Sequence, residues 1–324
     1  MWKKILIGLL ILITLLSILT GIGIQYFNSM WFHEKPNYVK WDKDSISFDF
    51  HFAAGKYGDL VEAHDLIKVP VRLKGISQRF YLQWDTGSPH SLLYRRPLNS
   101  LKKQGFEWQE AKGFLLDFNI LIGNGILSAD SFPVFENYGR NFEPDDSLSP
   151  IKLGTLGADI MDQKVSIIDF KNGQIDIYLN RPEEMDASLP FEDFNFAGRR
   201  MMLPAILDGK KHDLFYDSGS SAFGLITSKG RFEDYSRDES PLIRYETNSW
   251  GNSIPICHKE TSLQMEIGGT KLALGRVSYI DMYTPVQGVL APFSDIGGWL
   301  GNKAFLDSKL ILDCQKEEFL VLPF

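Results

Sequence analysis

Residues 80–88 read FYLQWDTGS, and residues 213–220 read DLFYDSGS. Each stretch is an apolar run that leads directly into the motif Asp-[Thr/Ser]-Gly-Ser. Upstream of each lies another apolar run that ends in a Gly-containing turn, at 66–75 (LIKVPVRLKG) and at 201–209 (MMLPAILDG). Apolar runs separated by such turns predict β-hairpins. The chain therefore carries one plan twice: strand, turn, strand and motif.

The repeat continues downstream of both motifs. A Leu-Gly pair ends at Gly157 in the first half and at Gly301 in the second, and twelve positions later an apolar run ends at Asp169 and at Asp313. Both pairs are 144 positions apart, whereas the two motifs are 132 apart. The equal offsets indicate duplication. About twelve extra residues are then expected in a loop within 228–296, because loops tolerate insertions.

The composition is that of a globular, mostly β protein. Of the 324 residues, 44% are hydrophobic and 23% are charged, and short apolar runs broken by Gly, Pro, Asn and Asp fill the chain from about residue 45. The formal charge of −7 disfavours nucleic acid as a partner. The six histidines have no metal-ligand spacing, and nothing implies a metal or other cofactor. Cys257 and Cys314 form either one disulfide or two buried free thiols.

The first thirty residues predict a membrane anchor. The uncharged stretch from Ile5 to Ile24 is long enough, at about 1.5 Å per residue, to cross the hydrocarbon core of a bilayer. Lys3 and Lys4 favour a cytoplasmic N-terminus, which places the remainder of the chain outside the cytoplasm. The alternative is a cleaved signal peptide, but the run is long for one and no small-residue cleavage site follows it. We expect a single-pass protein that contacts membrane lipid through this helix.

Over roughly residues 65–324, the paired motifs and paired Leu-Gly segments resemble the pepsin-like and retropepsin-like aspartic proteases. The resemblance implies a bilobal, mostly β fold in which two related lobes enclose an active-site cleft. The expected divisions are a cytoplasmic tip and transmembrane anchor (1–30), a linker (31–45), an N-terminal lobe (46–182) and a C-terminal lobe (183–324). One chain supplies both halves of the site, so a monomer is expected.

Hydrolysis of a peptide bond by water needs a base and an acid at the same place. Two carboxylates held about 3 Å apart cannot both ionise, so such a pair shares one proton and supplies both groups. By the resemblance, Asp85 and Asp217 are the catalytic pair. The family implies hydroxyls that hydrogen-bond across the lobes (Thr86, Ser218), hydroxyls that bond the outer carboxylate oxygens (Ser88, Ser220) and loop glycines (Gly87, Gly219).

The family also closes its cleft with a β-hairpin flap. The best candidate lies within 115–133, where two apolar runs flank a tip formed by Ile122, Gly123, Asn124 and Gly125. This tip lacks the Tyr that pepsin-like flaps carry. The alternative is that the hairpin is only part of the sheet of its lobe.

These observations predict an aspartic endopeptidase that hydrolyses a peptide or protein substrate with a water activated between two carboxylates. The alternative is a catalytically inactive module of the same fold that binds a peptide or glycan or acts as an inhibitor. A serine hydrolase is disfavoured because no Gly-x-Ser-x-Gly motif surrounds Ser218 or Ser220.

Overall fold

The structure is a computed structural model that describes residues 21–23, 25–26, 29, 32–33, 36–143, 150–183, 185, 189–281 and 296–324. No helix within these residues is both long and apolar enough to span a bilayer. Of the expected cytoplasmic tip and anchor (1–30), the structure describes only residues 21–23, 25–26 and 29, and the anchor stays a prediction.

Strands dominate both halves of the chain. Up to residue 182 they are β1 (Val39–Trp41), β2 (Ser45–Asp49), β3 (His51–Tyr57), β4 (Leu60–Arg72), β5 (Phe80–Trp84), β6 (Leu92–Tyr94), β7 (Glu110–Ala111), β8 (Phe114–Ile122), β9 (Gly125–Phe135), β10 (Ile151–Leu156), β11 (Val165–Asp169) and β12 (Gln174–Tyr178). Helix α1 (Arg95–Lys103) follows β6, and a 3₁₀ turn (Ala158–Met161) follows β10.

The second half repeats much of this order. Its strands are β13 (Glu192–Asp193), β14 (Met202–Leu207), β15 (Lys210–Tyr216), β16 (Leu225–Ile226), β17 (Ile243–Ser249), β18 (Asn252–Glu260), β19 (Gln264–Ile267), β20 (Thr270–Ala273), β21 (Arg276–Ile280), β22 (Ile296–Leu300), β23 (Ser308–Asp313) and β24 (Glu318–Pro323). Helix α2 (Lys229–Tyr235) follows β16. Three further 3₁₀ turns cover Ala197–Arg199, Ser218–Ser220 and Asn302–Phe305.

The two large sheets have the same internal wiring. The N-terminal lobe contains the strand order β6-β10-β5-β4-β8, and the C-terminal lobe contains β16-β22-β15-β14-β19. In each sheet the strand that leads into the Asp motif pairs in parallel with the strand that leads into the Leu-Gly pair. This repeated pairing brings each Asp motif beside the Gly-containing turn of its own lobe.

A six-stranded sheet joins the lobes, in the order β13-β24-β23-β11-β12-β2. Its central pair is antiparallel, with Ile167 opposite Ile311. These two residues are 144 positions apart, which is the offset of the sequence repeat. Outward from them the register is symmetric, so the approximate twofold axis that relates the lobes passes through this pair of residues.

Alternation of side chains places the apolar face of each lobe inward. In β5, Phe80, Leu82 and Trp84 are buried, whereas Tyr81 and Gln83 on the opposite face stay partly exposed. Period-two alternation of this kind is expected for a strand with one face on the core.

The turns differ between the lobes. Asp208 and Gly209, with φ values of 49° and 71°, form a two-residue turn between β14 and β15, and two positive φ angles are typical of a type I′ hairpin. The equivalent connection from β4 to β5 is the longer loop 73–79.

The expected insertion in the second half is the hairpin of β17 and β18. The N-terminal lobe has no described counterpart between its helix α1 and strand β8. The β8–β9 hairpin instead matches β19–β20, because β8 pairs with β4 as β19 pairs with β14.

The linker prediction for 31–45 is wrong over its second part. Val39 is buried and pairs with Ala129, so β1 belongs to the N-terminal sheet. Asn37 donates to the backbone oxygen of Asp159 at 3.0 Å. Alternation in this short segment is too brief to separate a strand from a linker by sequence. Of the two alternatives for the cysteines, the structure has free thiols, both buried.

Candidate active site

Asp85 and Asp217 converge at the junction of the two lobes. Their backbone N–H groups donate to Leu156 and Leu300, the residues before the paired glycines, at 3.0 and 2.9 Å. A Cβ placed on Gly87 would lie 2.6 Å from Oδ1 of Asp217 and 3.0 Å from Oδ1 of Asp85. The two carboxyl groups also hydrogen-bond to each other. The residues that the two motifs contribute therefore face one common point.

The glycines of the motifs are required by this close approach. A side chain at Gly87 or Gly219 would collide with the carboxyl group of the opposite lobe, since a Cβ on Gly219 would lie 2.5 Å from Cγ of Asp85. Neither position has a positive φ. Space, and not backbone conformation, excludes larger residues here.

Hydrogen bonds cross between the motifs beneath the carboxyl groups. The Thr86 N–H donates to Oγ of Ser218 at 2.8 Å, and the Ser218 N–H donates to Oγ1 of Thr86 at 2.9 Å. The Thr86 hydroxyl in turn donates to the backbone oxygen of Tyr216 at 3.1 Å. Both side chains are fully buried. This reciprocal pair fixes the height and separation of the two Asp-bearing loops.

The two carboxyl groups have different partners. Asp217 accepts from the Gly219 N–H at 2.9 Å and from the Ser220 hydroxyl at 2.8 Å. In the other lobe, the Ser88 hydroxyl donates to the backbone oxygen of His90 at 2.7 Å. The predicted hydrogen bond from Ser88 to the outer oxygen of Asp85 is therefore wrong, because a backbone carbonyl two residues away takes that donor.

Burial raises the pKa of Asp85 well above the usual range of a carboxyl group. Repulsion from Asp217 and a hydrogen bond with it raise this pKa further, while the charge of Lys152 and the Ser88 N–H lower it. The arrangement favours a protonated Asp85, whereas Asp217 accepts the hydrogen bonds of Gly219 and Ser220.

Two partly buried cations, Lys152 and Arg200, lie close to the two carboxyl groups. Lys152 on β10 donates to Oε1 of Gln83, two residues before Asp85. Burial lowers the pKa of Lys152 to about 8, while the charges of Asp85 and Asp65 raise it. Arg200 donates to the backbone oxygen of Gly87, and burial lowers its pKa against the opposing effects of Asp217 and Asp85. Sequence reasoning missed both, although a Lys inside an otherwise apolar strand was a visible signal.

Each lobe supports its loop from the turn after its Leu-Gly pair. In the C-terminal lobe, Asn302 accepts from the Tyr216 hydroxyl at 2.7 Å and donates to the backbone oxygen of Ser218 at 2.9 Å. In the N-terminal lobe, Asp159 accepts from the backbone N–H of Ser91 at 2.7 Å and from its hydroxyl at 2.6 Å. Burial raises the pKa of Asp159 to about 6.

The predicted flap does not lie over the site. Ile122 is fully buried, Gly125 pairs with it at the end of the β8–β9 hairpin, and the tip rests on β2. The Asn124 N–H donates to the backbone oxygen of Ser47 at 3.1 Å, and Oδ1 of Asn124 accepts from the Ser47 N–H at 2.9 Å. A Cβ on Gly123 would collide with the same strand. The hairpin is thus part of the sheet of its lobe, and the flap prediction is wrong.

A different hairpin reaches from one lobe to the other. At the tip of β17–β18, the Trp250 ring packs on Phe135 and Tyr138 of the N-terminal lobe, with centroids 5.6 and 6.2 Å apart. Along its length, Tyr245 packs on Tyr57 at 4.8 Å. The sequence repeat predicts only a loop insertion here. The alternating stretch on both sides of the Trp250-Gly251 turn was the available signal for a hairpin.

Within the described residues, no group of three or more His, Cys, Asp and Glu side chains could hold a metal ion. In comparisons with known proteins, no family model matches the chain, and no curated protein sequence matches it. Among solved structures, the chain is similar to an aspartic proteinase from Irpex lacteus, with a TM-score of 0.47 and 10% sequence identity. The match covers 86% of this chain and 97% of that one.

Proposed function

We propose that the chain is an aspartic endopeptidase whose catalytic pair is Asp85 and Asp217. The observation that carries the proposal is the close approach of the two carboxyl groups, because Oδ1 of each lies within 3.0 Å of the position that a Cβ on Gly87 would take. A water bound by both carboxyl groups would contact a base and an acid together. The crossed hydrogen bonds of Thr86 and Ser218 support the same function, because they hold the two groups at a fixed separation.

In the proposed reaction, ionised Asp217 takes a proton from the water as its oxygen attacks the carbonyl carbon of the substrate. Protonated Asp85 gives its proton to the carbonyl oxygen, which yields a neutral diol. In the second step the diol returns a proton to Asp85, Asp217 protonates the amide nitrogen, and the C–N bond breaks. Both carboxyl groups then have their starting protonation states.

The proposed substrate is an extended segment of a peptide or protein that lies between the lobes. Sheet edges can bind such a segment through its backbone, which leaves side-chain pockets to set preference. Because one chain supplies both Asp motifs, the proposed active form is a monomer.

The test is replacement of either carboxyl group by an amide. In Asp85→Asn and Asp217→Asn, we expect peptide cleavage to fall by roughly 10²-fold or more, since general acid–base catalysis is lost. Asp130→Asn is the matched control, because Asp130 is exposed and pairs with exposed Lys40. Full activity in either dyad variant would falsify the assignment, provided that circular dichroism shows both variants to be folded.

The alternative function is a peptide- or glycan-binding or inhibitory module without turnover. Two observations favour it: the Ser88 hydroxyl points away from Asp85, and the Trp250 hairpin bridges the lobes. A peptide analogue with a hydroxyl at the scissile position separates the functions. The enzyme should bind it tightly and lose that binding in both dyad variants, whereas the binding module should be indifferent to them.

For location, we propose that the apolar stretch from Ile5 to Ile24 anchors the protein in a membrane, with both lobes outside the cytoplasm. The lack of charge and the length of that stretch support this. Flotation of the full chain with lipid vesicles, compared with a fragment that starts at Asn37, is the test. Equal flotation of both would contradict the proposal.

A further inference from the structure

Polar side chains cluster beside Asp85 on the N-terminal lobe, and the space bordered by Tyr81, Gln83 and Lys152 is named the pocket. Strand alternation places Tyr81 and Gln83 on the face of β5 opposite the buried core, and Asp85 directly follows this strand. Strand β10 runs parallel to β5, with Lys152 beside Tyr81 and Thr155 beside Gln83. The side chains next to the proposed acid are therefore polar or amphipathic.

Lys152 is the central group of this pocket. Its Nζ donates to Oε1 of Gln83 and lies 5.4 Å from the centroid of the Tyr94 ring. Among the described residues, no carboxylate forms an ion pair with it. Asp85 and Asp65 act on it only through longer-range charge, and Asp65 instead accepts from the Tyr57 hydroxyl at 2.5 Å.

Burying an ammonium group beside a neutral amide and an aromatic ring, with no carboxylate partner, is unfavourable in free energy because the charge loses water. This loss of hydration lowers the pKa of Lys152 to about 8. At neutral pH the group therefore stays mainly protonated. A carboxylate that entered the pocket would complete a charge-assisted hydrogen bond, which is stronger than a neutral one.

Arg140 adds to the positive potential near Tyr81. Its charge lowers the pKa of the Tyr81 hydroxyl, against the effect of burial. The ring of Tyr138 packs on Tyr94 at 4.7 Å. A carboxylate near Tyr81 would thus lie in the field of two cations, Arg140 and Lys152.

We propose that this pocket binds an acidic side chain of the substrate, Glu or Asp, next to the bond that Asp85 and Asp217 hydrolyse, and that Lys152 is its specificity-determining residue. The proposal rests on the proposed endopeptidase function and names its substrate class. A purely structural Lys152, which only balances the charges of Asp85 and Asp65, would give no preference among substrate side chains.

The experiment uses the full chain and one decapeptide series with blocked termini, so that a side chain is the only source of a carboxylate. Each position is occupied in turn by Glu, Gln or Lys. At pH 6 we expect one position beside the cleaved bond at which kcat/KM for Glu exceeds that for Gln by roughly tenfold or more. This ratio should fall toward one above pH 8, because Lys152 loses its charge as the pH rises through its pKa.

Variants locate the effect. Lys152→Met should abolish the preference for Glu, and Lys152→Arg should restore most of it. Lys171→Met is the matched control, since Lys171 also lies over an aromatic ring, 4.8 Å from that of Phe324, but is exposed and outside the pocket. A wild-type chain that never prefers Glu over Gln, or a preference that persists in Lys152→Met, overturns the proposal.

Failure of the proposed function gives a distinct result. If no peptide is cleaved, the endopeptidase proposal fails, and binding of the same peptides, fluorescently labelled, then decides the pocket. Tighter binding of one Glu peptide than its Gln partner, by about tenfold and dependent on Lys152, would support the carboxylate pocket alone. Equal binding of both would overturn it.

Discussion

The two Asp motifs have nearly the same sequence but different surroundings. Asp217 accepts hydrogen bonds from Gly219 and Ser220, whereas the hydroxyl of Ser88, at the position that corresponds to Ser220, donates to a backbone carbonyl. Burial and repulsion then raise the pKa of Asp85. A symmetric pair of motifs thus produces an asymmetric pair of carboxyl groups. In the proposed reaction, this difference assigns the role of acid to Asp85 and that of base to Asp217, which the motifs alone leave equal.

The largest effect is expected from the support beneath Asp217. Asn302→Ala would leave the hydroxyl of Tyr216 without its partner and would remove one hydrogen bond to the carbonyl of Ser218, in a fully buried site. Because each unsatisfied buried group costs about 1–3 kcal/mol, the free energy of unfolding should fall by about 3 kcal/mol. Chemical denaturation measures it. Asn252→Ala, on an exposed strand end, is the control, and equal stability of both variants would refute this account of the support.

A second experiment tests whether the hydroxyls of Ser220 and Ser88 have different effects. Ser220→Ala removes a donor from the proposed base, and hydrogen bonds to charged groups contribute about 1.5–3 kcal/mol. We expect kcat/KM to fall by roughly tenfold or more. Ser88→Ala removes a donor that binds only His90, so kcat/KM should change by less than about threefold. Equal losses in the two variants would mean that the hydroxyls act symmetrically.

The β8–β9 and β17–β18 hairpins also differ in which lobe their tips contact. The tip of β8–β9 is held on β2 of its own lobe, whereas the tip of β17–β18 contacts the other lobe through Trp250. Trp250→Ala removes aromatic contacts that typically contribute about 0.5–1.5 kcal/mol. Amide exchange in residues 243–260 should therefore speed up by several-fold, and KM should change with it.

Asn124→Ala is the matched variant for the other hairpin. It should lower the free energy of unfolding by about 1 kcal/mol through the lost bond to Ser47, and leave KM unchanged. If instead KM responds to Asn124→Ala and not to Trp250→Ala, the β8–β9 hairpin is the functional one.

The convergence of Asp85 and Asp217 could be predicted because it follows from a repeat. Equal spacing of 144 positions between the downstream segments implied equal wiring of the two lobes, and the central pair of Ile167 and Ile311 has that spacing. Strands with one buried face and turns that contain Gly are read reliably from alternation and turn chemistry.

The differences between the lobes could not be predicted in the same way. The direction of the Ser88 hydroxyl depends on which acceptor the local backbone offers, and the carbonyl of His90 is available only in the folded loop. The proposed role of Lys152 depends on its register beside Tyr81, in a strand whose bulge no sequence pattern indicates. The β8–β9 and β17–β18 hairpins both have ordinary strand sequences, so only tertiary contacts distinguish them.

The smallest effect concerns the pH dependence of hydrolysis. The rate should be bell-shaped, and its alkaline limb should fall where Asp85 loses the proton that it must donate. The positive charge of Lys152 lowers the pKa of Asp85, so removing that charge raises it. In Lys152→Met, assayed with a Gln peptide that places no carboxylate in the pocket, the alkaline limb should move to higher pH by a fraction of a unit. The Lys171→Met control should keep the wild-type profile. A limb that stays in place or moves to lower pH in Lys152→Met would show that Asp85 is not the proton donor, and the comparison between the two carboxyl groups would then have to be reversed.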